Sequence, residues 1–329
     1  MSTRNRLAHV VHLSGTGWAK DLPRIPFPSG SGAKNTPEDI FELTGIVTRS
    51  HAGILEADEL AERAVRDLFQ SDTTFPDSID FLLVTTTTPV LTMPSTATLV
   101  ARRLFGNRTV PALDVGGSCS GFLVALQTAC ALIGTGDFKN ILIIATEKKS
   151  GQLCPTHAPE TALLFGDMAA AALISRDPLP TGRHQPMVVK AVRTTSKGEL
   201  ACLIRKEVDP CDGRRILRMN GPRVFREAVS TLSREIPLFL AHQNLGVTDL
   251  ELAVFHQANG RLLAKLSERL GIPQEKVPLT IPQYGNTSSA SLPLTLGQAL
   301  KKTPYPKGPI LLGTFGGGVT YGMALLEPV

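Results

Sequence analysis

Three side chains stand in settings that suit covalent chemistry. Cys119 lies in Asp114-Val115-Gly116-Gly117-Ser118-Cys119-Ser120-Gly121-Phe122, His256 in Val254-Phe255-His256-Gln257-Ala258-Asn259, and Asn286 in Tyr284-Gly285-Asn286-Thr287-Ser288. A thiol at the first turn of a helix faces unpaired N–H groups and the positive end of the helix dipole, and both favour the nucleophilic thiolate. A histidine at a strand end supplies a base or a donor, and an amide fixed by a Gly-Asn turn supplies a donor that cannot titrate. Each also has a plainer reading alone: a buried core cysteine, a satisfied strand-end histidine, a turn asparagine.

The surrounding elements decide where these groups point. The run Gly121-Phe122-Leu123-Val124-Ala125-Leu126-Gln127-Thr128-Ala129-Cys130-Ala131-Leu132 reads as an apolar helix buried on every side, with Cys119 at its inner end. The chain reads as two halves with one plan. Phe81–Thr88 matches Leu252–Gln257, the Cys119 helix matches Thr287–Leu300, Ile141–Thr146 matches Pro309–Thr314, and Ala169–Ile174 matches Thr320–Leu326. Short continuous apolar strands alternating with helices predict sheets covered on both faces, hence a five-layered α/β/α/β/α sandwich with two central helices. The Pro- and Gly-containing connector from Ser175 to Gly182 divides the halves, 1–178 carrying the cysteine and 179–329 the histidine and asparagine. The segments Asp21–Pro37 and Lys197–Arg218 read as irregular excursions.

At 329 residues, 42% of them hydrophobic, the chain holds a substantial core. No uninterrupted apolar run of about 18 residues predicts a membrane span, and the start, Met1-Ser2-Thr3-Arg4-Asn5-Arg6, does not read as a secretory signal. Five cysteines without paired close spacing argue against a disulfide framework or zinc site and for the cytoplasm. Of these, Cys130 reads as packing, while Cys154, Cys202 and Cys211 carry no motif. The remaining histidines, His9, His12, His51, His157, His184 and His242, read as surface or packing residues. A net charge of +5 with only 5% aromatics and no long Lys/Arg run excludes a nucleic-acid surface. It fits an acidic protein or phosphate-bearing partner, or an ordinary solvated surface.

The three segments, followed by Gly313-Thr314-Phe315-Gly316-Gly317-Gly318-Val319-Thr320-Tyr321-Gly322, resemble in order the motifs of the β-ketoacyl synthase III branch of the thiolase superfamily. The resemblance runs from about Thr44 to the C-terminus. It implies the thiolase-like layering, a Cys119–His256–Asn286 triad, and an oxyanion hole made by the backbone amides of Cys119 and Gly317, with Gly318 as the fallback. It implies Claisen condensation of a Cys119-bound acyl group with a malonyl- or β-ketoacyl-thioester, no cofactor or metal, and a homodimer pairing around Pro111–Leu113. Met93, in Thr92-Met93-Pro94-Ser95, would reach across that interface to close the partner's acyl pocket; otherwise it fills core. Phe165-Gly166-Asp167-Met168 matches a family motif except that Met168 replaces a glycine, which predicts a bulkier turn. Acyl transfer to an alcohol or amine is the alternative, although relatives of that kind tend to carry an acid where Asn286 stands. A thiolysing thiolase lacks its second cysteine here, and a non-catalytic scaffold is the remaining class.

One departure bears on the acyl donor. Relatives that use coenzyme A carry Trp and Arg before Thr-Gly-Ile, where this chain has Asp39 and Leu43 in Asp39-Ile40-Phe41-Glu42-Leu43-Thr44-Gly45-Ile46. An anion repels the phosphates that a cation would hold. The resemblance therefore points to acyl carrier protein as donor, with Arg261 at the tunnel mouth and Arg223 and Arg226 on a flanking helix as its docking residues. It also points to specialised, polyketide-like metabolism, with fatty-acid metabolism and an acyl-coenzyme A substrate as the alternatives.

Overall fold

The computed structural model describes residues 9–26, 37–70, 75–153, 158–179, 181, 184–208, 213 and 215–329. The first half runs β1 (His12–Trp18), β2 (Arg24–Pro26), α1 (Pro37–Thr44), β3 (Thr48–Ser50), α2 (Ala57–Phe69), α3 (Phe75–Ser78), β4 (Phe81–Thr85), α4 (Thr96–Phe105), β5 (Ala112–Asp114), α5 (Gly121–Thr135), β6 (Asn140–Glu147), α6 (Pro159–Ala162) and β7 (Met168–Ser175). The second runs β8 (Met187–Ser196), β9 (Ile204–Val208), β10 (Arg215–Met219), α7 (Gly221–Ala241), β11 (Leu252–Phe255), α8 (Gly260–Leu270), α9 (Ile281–Tyr284), α10 (Ser291–Lys302), β12 (Ile310–Gly316) and β13 (Thr320–Pro328).

The strands β5-β4-β6-β7-β1 form one mixed sheet and β8-β13-β12-β11 another. A short antiparallel pairing, His12 with Val188 and Leu13 with Met187, joins them, so hydrogen bonding runs through all nine strands. The halves are thus less separate than two stacked sheets would be. Helices α2 and α4 cover the outer face of the first sheet, and α7 covers the second with α8 packed on it. Between them, α5 and α10 each touch strands of both sheets. That is the five-layered order expected from the repeat.

Burial explains the layering. β6 and β7 are apolar runs buried almost end to end, as strands covered on both faces must be. In α5, Phe122, Leu123, Ala125, Leu126, Ala129 and Ile133 are fully enclosed. Truncating such a leucine to alanine costs roughly 2–5 kcal/mol. The expectation that α5 is buried on every side is corrected on one stripe, where Gln127 and Ala131 are exposed. There the Gln127 side-chain oxygen accepts the Thr194 amide and hydroxyl at 2.8 Å each. Extended by one turn, Ser118–Thr135 is apolar and long enough to cross a membrane by composition, yet most of it is buried between the sheets.

Two further expectations change. Lys197–Arg218 is not irregular throughout, since β9 pairs with β10 in a hairpin. In the other segment, β2 pairs with β3, while 27–36 lie outside the described residues. Met168 opens β7 in the core rather than widening a turn.

Candidate active site

Cys119 is held by a strained turn. Gly117 has φ 145° and Ser118 φ 49°, and a short 3-10 turn, Ser118–Ser120, leads into α5. A non-glycine residue in the left-handed region costs roughly 1–3 kcal/mol and persists only where its surroundings fix it. Here they do. The Ser120 hydroxyl donates to the Thr320 carbonyl at 2.6 Å. Gly121 lies so close to β4 that a Cβ would stand 1.9 Å from Thr85 Oγ1, and a Cβ on Gly316 would stand 2.7 Å from that of Cys119. The end of β12 therefore lies directly against the cysteine, as a ligand-approaching glycine strand should.

The second half repeats the device. Ser288 has φ 52° and opens the 3-10 turn Ser288–Ala290 ahead of α10. Ser288 answers Ser118 and Ser289 answers Cys119. The two turns meet: the Ser288 hydroxyl lies 3.6 Å from Cys119 Sγ. Asn286 points its Oδ1 at the Ser288 amide, 2.9 Å, and its Nδ2 at the Ala258 carbonyl, 3.4 Å. That long second contact leaves the amide's donors largely unspent.

His256 follows β11 and is buried. Its Nδ1 lies 2.5 Å from the Ser291 hydroxyl on the first turn of α10. Burial, aided by the Lys149 cation, lowers the imidazole to about 4, against weaker opposing pulls from Glu147 and the Ser288 backbone. The ring is neutral at physiological pH. For Cys119, burial pushes the thiol above its ordinary value, opposing the pull expected from the helix terminus. Lys149, the Ser288 hydroxyl and the Gly317 backbone pull it down, and Glu147 pushes it up.

Cys119, His256 and Asn286 accordingly converge around Ser288, and Gly317 lies against Ser118, next to the cysteine. The other sequence-selected residues lie outside that cluster. Met93 is 85% exposed, so the core-filling reading fails. Arg223 and Arg226 are exposed on the first turns of α7, and Arg261 on the first turn of α8. Val224 and Ala228 of α7 and Leu262 and Leu263 of α8 line a cavity of about 30 Å³ against His256 and Phe255. Asp39 and Leu43 are exposed on α1, and the Leu43 carbonyl accepts from Asn259 Nδ2 at 3.1 Å, beside Arg261. Burial pushes Cys130 up to about 12, in keeping with packing. Cys202 is exposed, and Cys154, Cys211 and His157 lie outside the described residues.

Sequence reasoning missed Glu147 and Lys149. Glu147 is fully buried and accepts from the Thr87 amide (3.1 Å), the Thr87 hydroxyl (2.7 Å) and the Ser289 hydroxyl (2.8 Å). Burial alone would raise its carboxyl, but Lys149 and these bonds hold it below its usual value. The only signal was a Glu-Lys-Lys run closing an apolar strand, which reads as a solvated end.

Comparison with known proteins settles the lineage. Residues 113–192 match the family profile 3-oxoacyl-[acyl-carrier-protein] synthase III, and residues 240–327 match its C-terminal profile. The β-ketoacyl-[acyl-carrier-protein] synthase III of Campylobacter jejuni is 35% identical over 295 residues, 89% of each chain. This chain belongs to the β-ketoacyl-[acyl-carrier-protein] synthase III family. Another such synthase, from Methylococcus capsulatus, is 34% identical over 98% of this chain and all of its own. The crystal structure of the Aquifex aeolicus synthase III superposes with a TM-score of 0.86 at 32% identity, covering 96% of this chain and 99% of that one. The priming β-ketosynthase of the R1128 polyketide pathway gives 0.86 at 28% identity, covering 100% and 99%. The fold of this synthase III family member is therefore the thiolase fold, and its family is one of acyl-transferring condensing enzymes.

Proposed function

We propose that this family member joins a Cys119-bound acyl group to a malonyl- or β-ketoacyl-thioester by Claisen condensation. The observation that carries the reading is the meeting of the two helix-entry turns, which brings the thiol, the imidazole and the amide around Ser288. The Cys119 thiolate adds to the acyl thioester carbonyl, and the donor's thiolate leaves and takes a proton. The extender then binds, and His256 and Asn286 donate to its thioester carbonyl while carbon dioxide departs from a malonyl partner. For a β-ketoacyl partner, neutral His256 instead takes the α-proton and Asn286 donates. The resulting enolate carbon attacks the acyl-Cys119 carbonyl, whose oxyanion rests on the Cys119 and Gly317 amides, and the Cys119 thiolate is expelled.

A neutral imidazole and a neutral amide suit this task, because an enolate oxygen is stabilised by donors already in place. The apolar cavity beside His256, roofed by the helices that carry Arg223, Arg226 and Arg261, supports these cations as the docking rim for an acidic acyl carrier protein. Exposed Asp39 and Leu43 at the same rim, an anion and an aliphatic, support a carrier donor over coenzyme A and with it a specialised, polyketide-like role. Exposed Leu91, Met93 and Leu113 beside the edge strand β5 support a homodimer in which Met93 gates the partner's acyl pocket. The change of sheet between Ser175 and Met187 supports a division of the chain into halves 1–178 and 179–329.

The test supplies acyl-carrier protein with malonyl-carrier protein and follows the β-ketoacyl product together with carbon dioxide. Equal yields of both are expected. Transfer of the acyl group to an alcohol without carbon dioxide would replace the reading.

A further inference from the structure

At the end of β6 a charge cluster stands that the condensation chemistry does not use. Lys149 is almost wholly buried, its Nζ 3.5 Å from Glu147 Oε2 and bonded to the Thr87 hydroxyl. From the β9–β10 hairpin, Lys206 donates to the Thr87 carbonyl, with Arg215 acting on Lys206 from the neighbouring strand. Two ammonium groups thus meet one carboxylate at a single threonine, leaving an excess of positive charge. Burial and Lys149 together lower Lys206 to about 8.

Lys149 helps to keep buried Glu147 ionised, yet its field also reaches Cys119. Glu147 already accepts four bonds from neutral donors, the amide and hydroxyl of Thr87 and the hydroxyls of Thr88 (3.4 Å) and Ser289. At 3.5 Å the ammonium stands off at more than a close charge-assisted bond. Lys149 also stands 5.4 Å from the centroid of the Phe165 ring, so Glu147, Thr87 and Phe165 together fix its charge in this buried place. The cluster adjoins the turn that meets the reactive thiol. Ser289 binds Glu147 at 2.8 Å and is next in sequence to Ser288, whose hydroxyl meets Cys119 Sγ.

We propose that Lys149, held by Glu147 and Thr87 beside the Ser288–Ala290 turn, is the positioning residue that supplies the counter-charge for the Cys119 thiolate, with Glu147 its opposing weight. Among the charges acting on Cys119, Lys149 is the largest and favours the thiolate, while Glu147 opposes it. The same cation helps to keep His256 neutral. Lys206 and Arg215 add positive charge to the same cluster. The proposal rests on Cys119 being the nucleophile, yet its test needs no acyl donor.

The experiment follows alkylation of Cys119 by iodoacetamide against pH in the full chain, read by peptide mass so that exposed Cys202 is scored apart. For Lys149→Met the profile moves to higher pH, and the rate at pH 7.5 falls on the order of tenfold. Lys149→Arg follows the parent. Glu147→Gln moves the profile the other way, to lower pH. A purely structural role for the pair moves both variants together, so a Glu147→Gln profile at or above the parent's overturns the proposal. So does a Lys149→Met profile that superposes on the parent's. Should Lys149→Met not fold, Glu147→Gln and Lys149→Arg decide the question alone. Acylation of Cys119 is read separately, so failure here leaves the condensation reading standing.

Discussion

The Nδ1 atom of His256 and the hydroxyl of Ser291 lie 2.5 Å apart, and that hydroxyl also accepts the Gln257 amide at 3.2 Å. With a lone pair occupied by an N–H donor, the serine hydrogen is free to point at Nδ1. The network thereby assigns the ring proton to Nε2, the tautomer that can donate into the reaction centre. Ser291→Ala removes the constraint and costs about 1 kcal/mol of stability. Its kcat for condensation should fall on the order of tenfold with KM little changed, since the lost contact matters in the transition state. Steady-state kinetics check this, and Ser291→Thr should restore most of the rate.

The buried imidazole links stability to pH. Its folded value, about 4, lies below the 6.5 of an exposed histidine. Between those values the unfolded chain holds more protons than the folded one, so stability rises with pH across that window and is lost on acidification through it. From pH 6.5 to pH 5 the loss from this group is about 2 kcal/mol. Urea denaturation at the two pH values should show that loss in the parent and its absence in His256→Gln.

What the sequence revealed followed contiguity. Cys119, His256 and Asn286 each sit in a short motif, and the alternation of apolar strands with helices gave the layers without further help. Glu147 and Lys149 escaped because burial of a charge depends on elements distant along the chain. Thr87 and Ser289, which hold Glu147, lie 60 and 142 positions away. Desolvation of the thiol by packed neighbours, which opposes the pull expected from its helix terminus, is likewise invisible in a linear motif. The β9–β10 hairpin was obscured by its charges: Arg205, Lys206, Glu207, Arg215 and Arg218 read as a solvated excursion, although Glu207 pairs with Arg205 and Arg218 within it.

The docking rim gives a salt-dependent prediction. Reversing one contact to an acidic carrier, Arg261→Glu should slow acylation of Cys119 by carrier-bound donors several-fold at low salt. The defect should shrink once the screening length falls to about 3 Å near 1 M salt. A short pantetheine thioester, which does not reach the rim, should react at the parent's rate. Acylation rates for carrier, coenzyme A and pantetheine donors at low and high salt give the comparison. Equal efficiency for coenzyme A and carrier would place the nucleotide on another surface.

The measurement closest to the central claim is the mass of the intact protein after incubation with an acyl thioester in the absence of extender. The account predicts one acyl adduct of the parent, mapped to the Cys119 peptide, absent in Cys119→Ala and discharged when malonyl-carrier protein is added. An adduct that persists in Cys119→Ala, or that maps to any other residue, would contradict it.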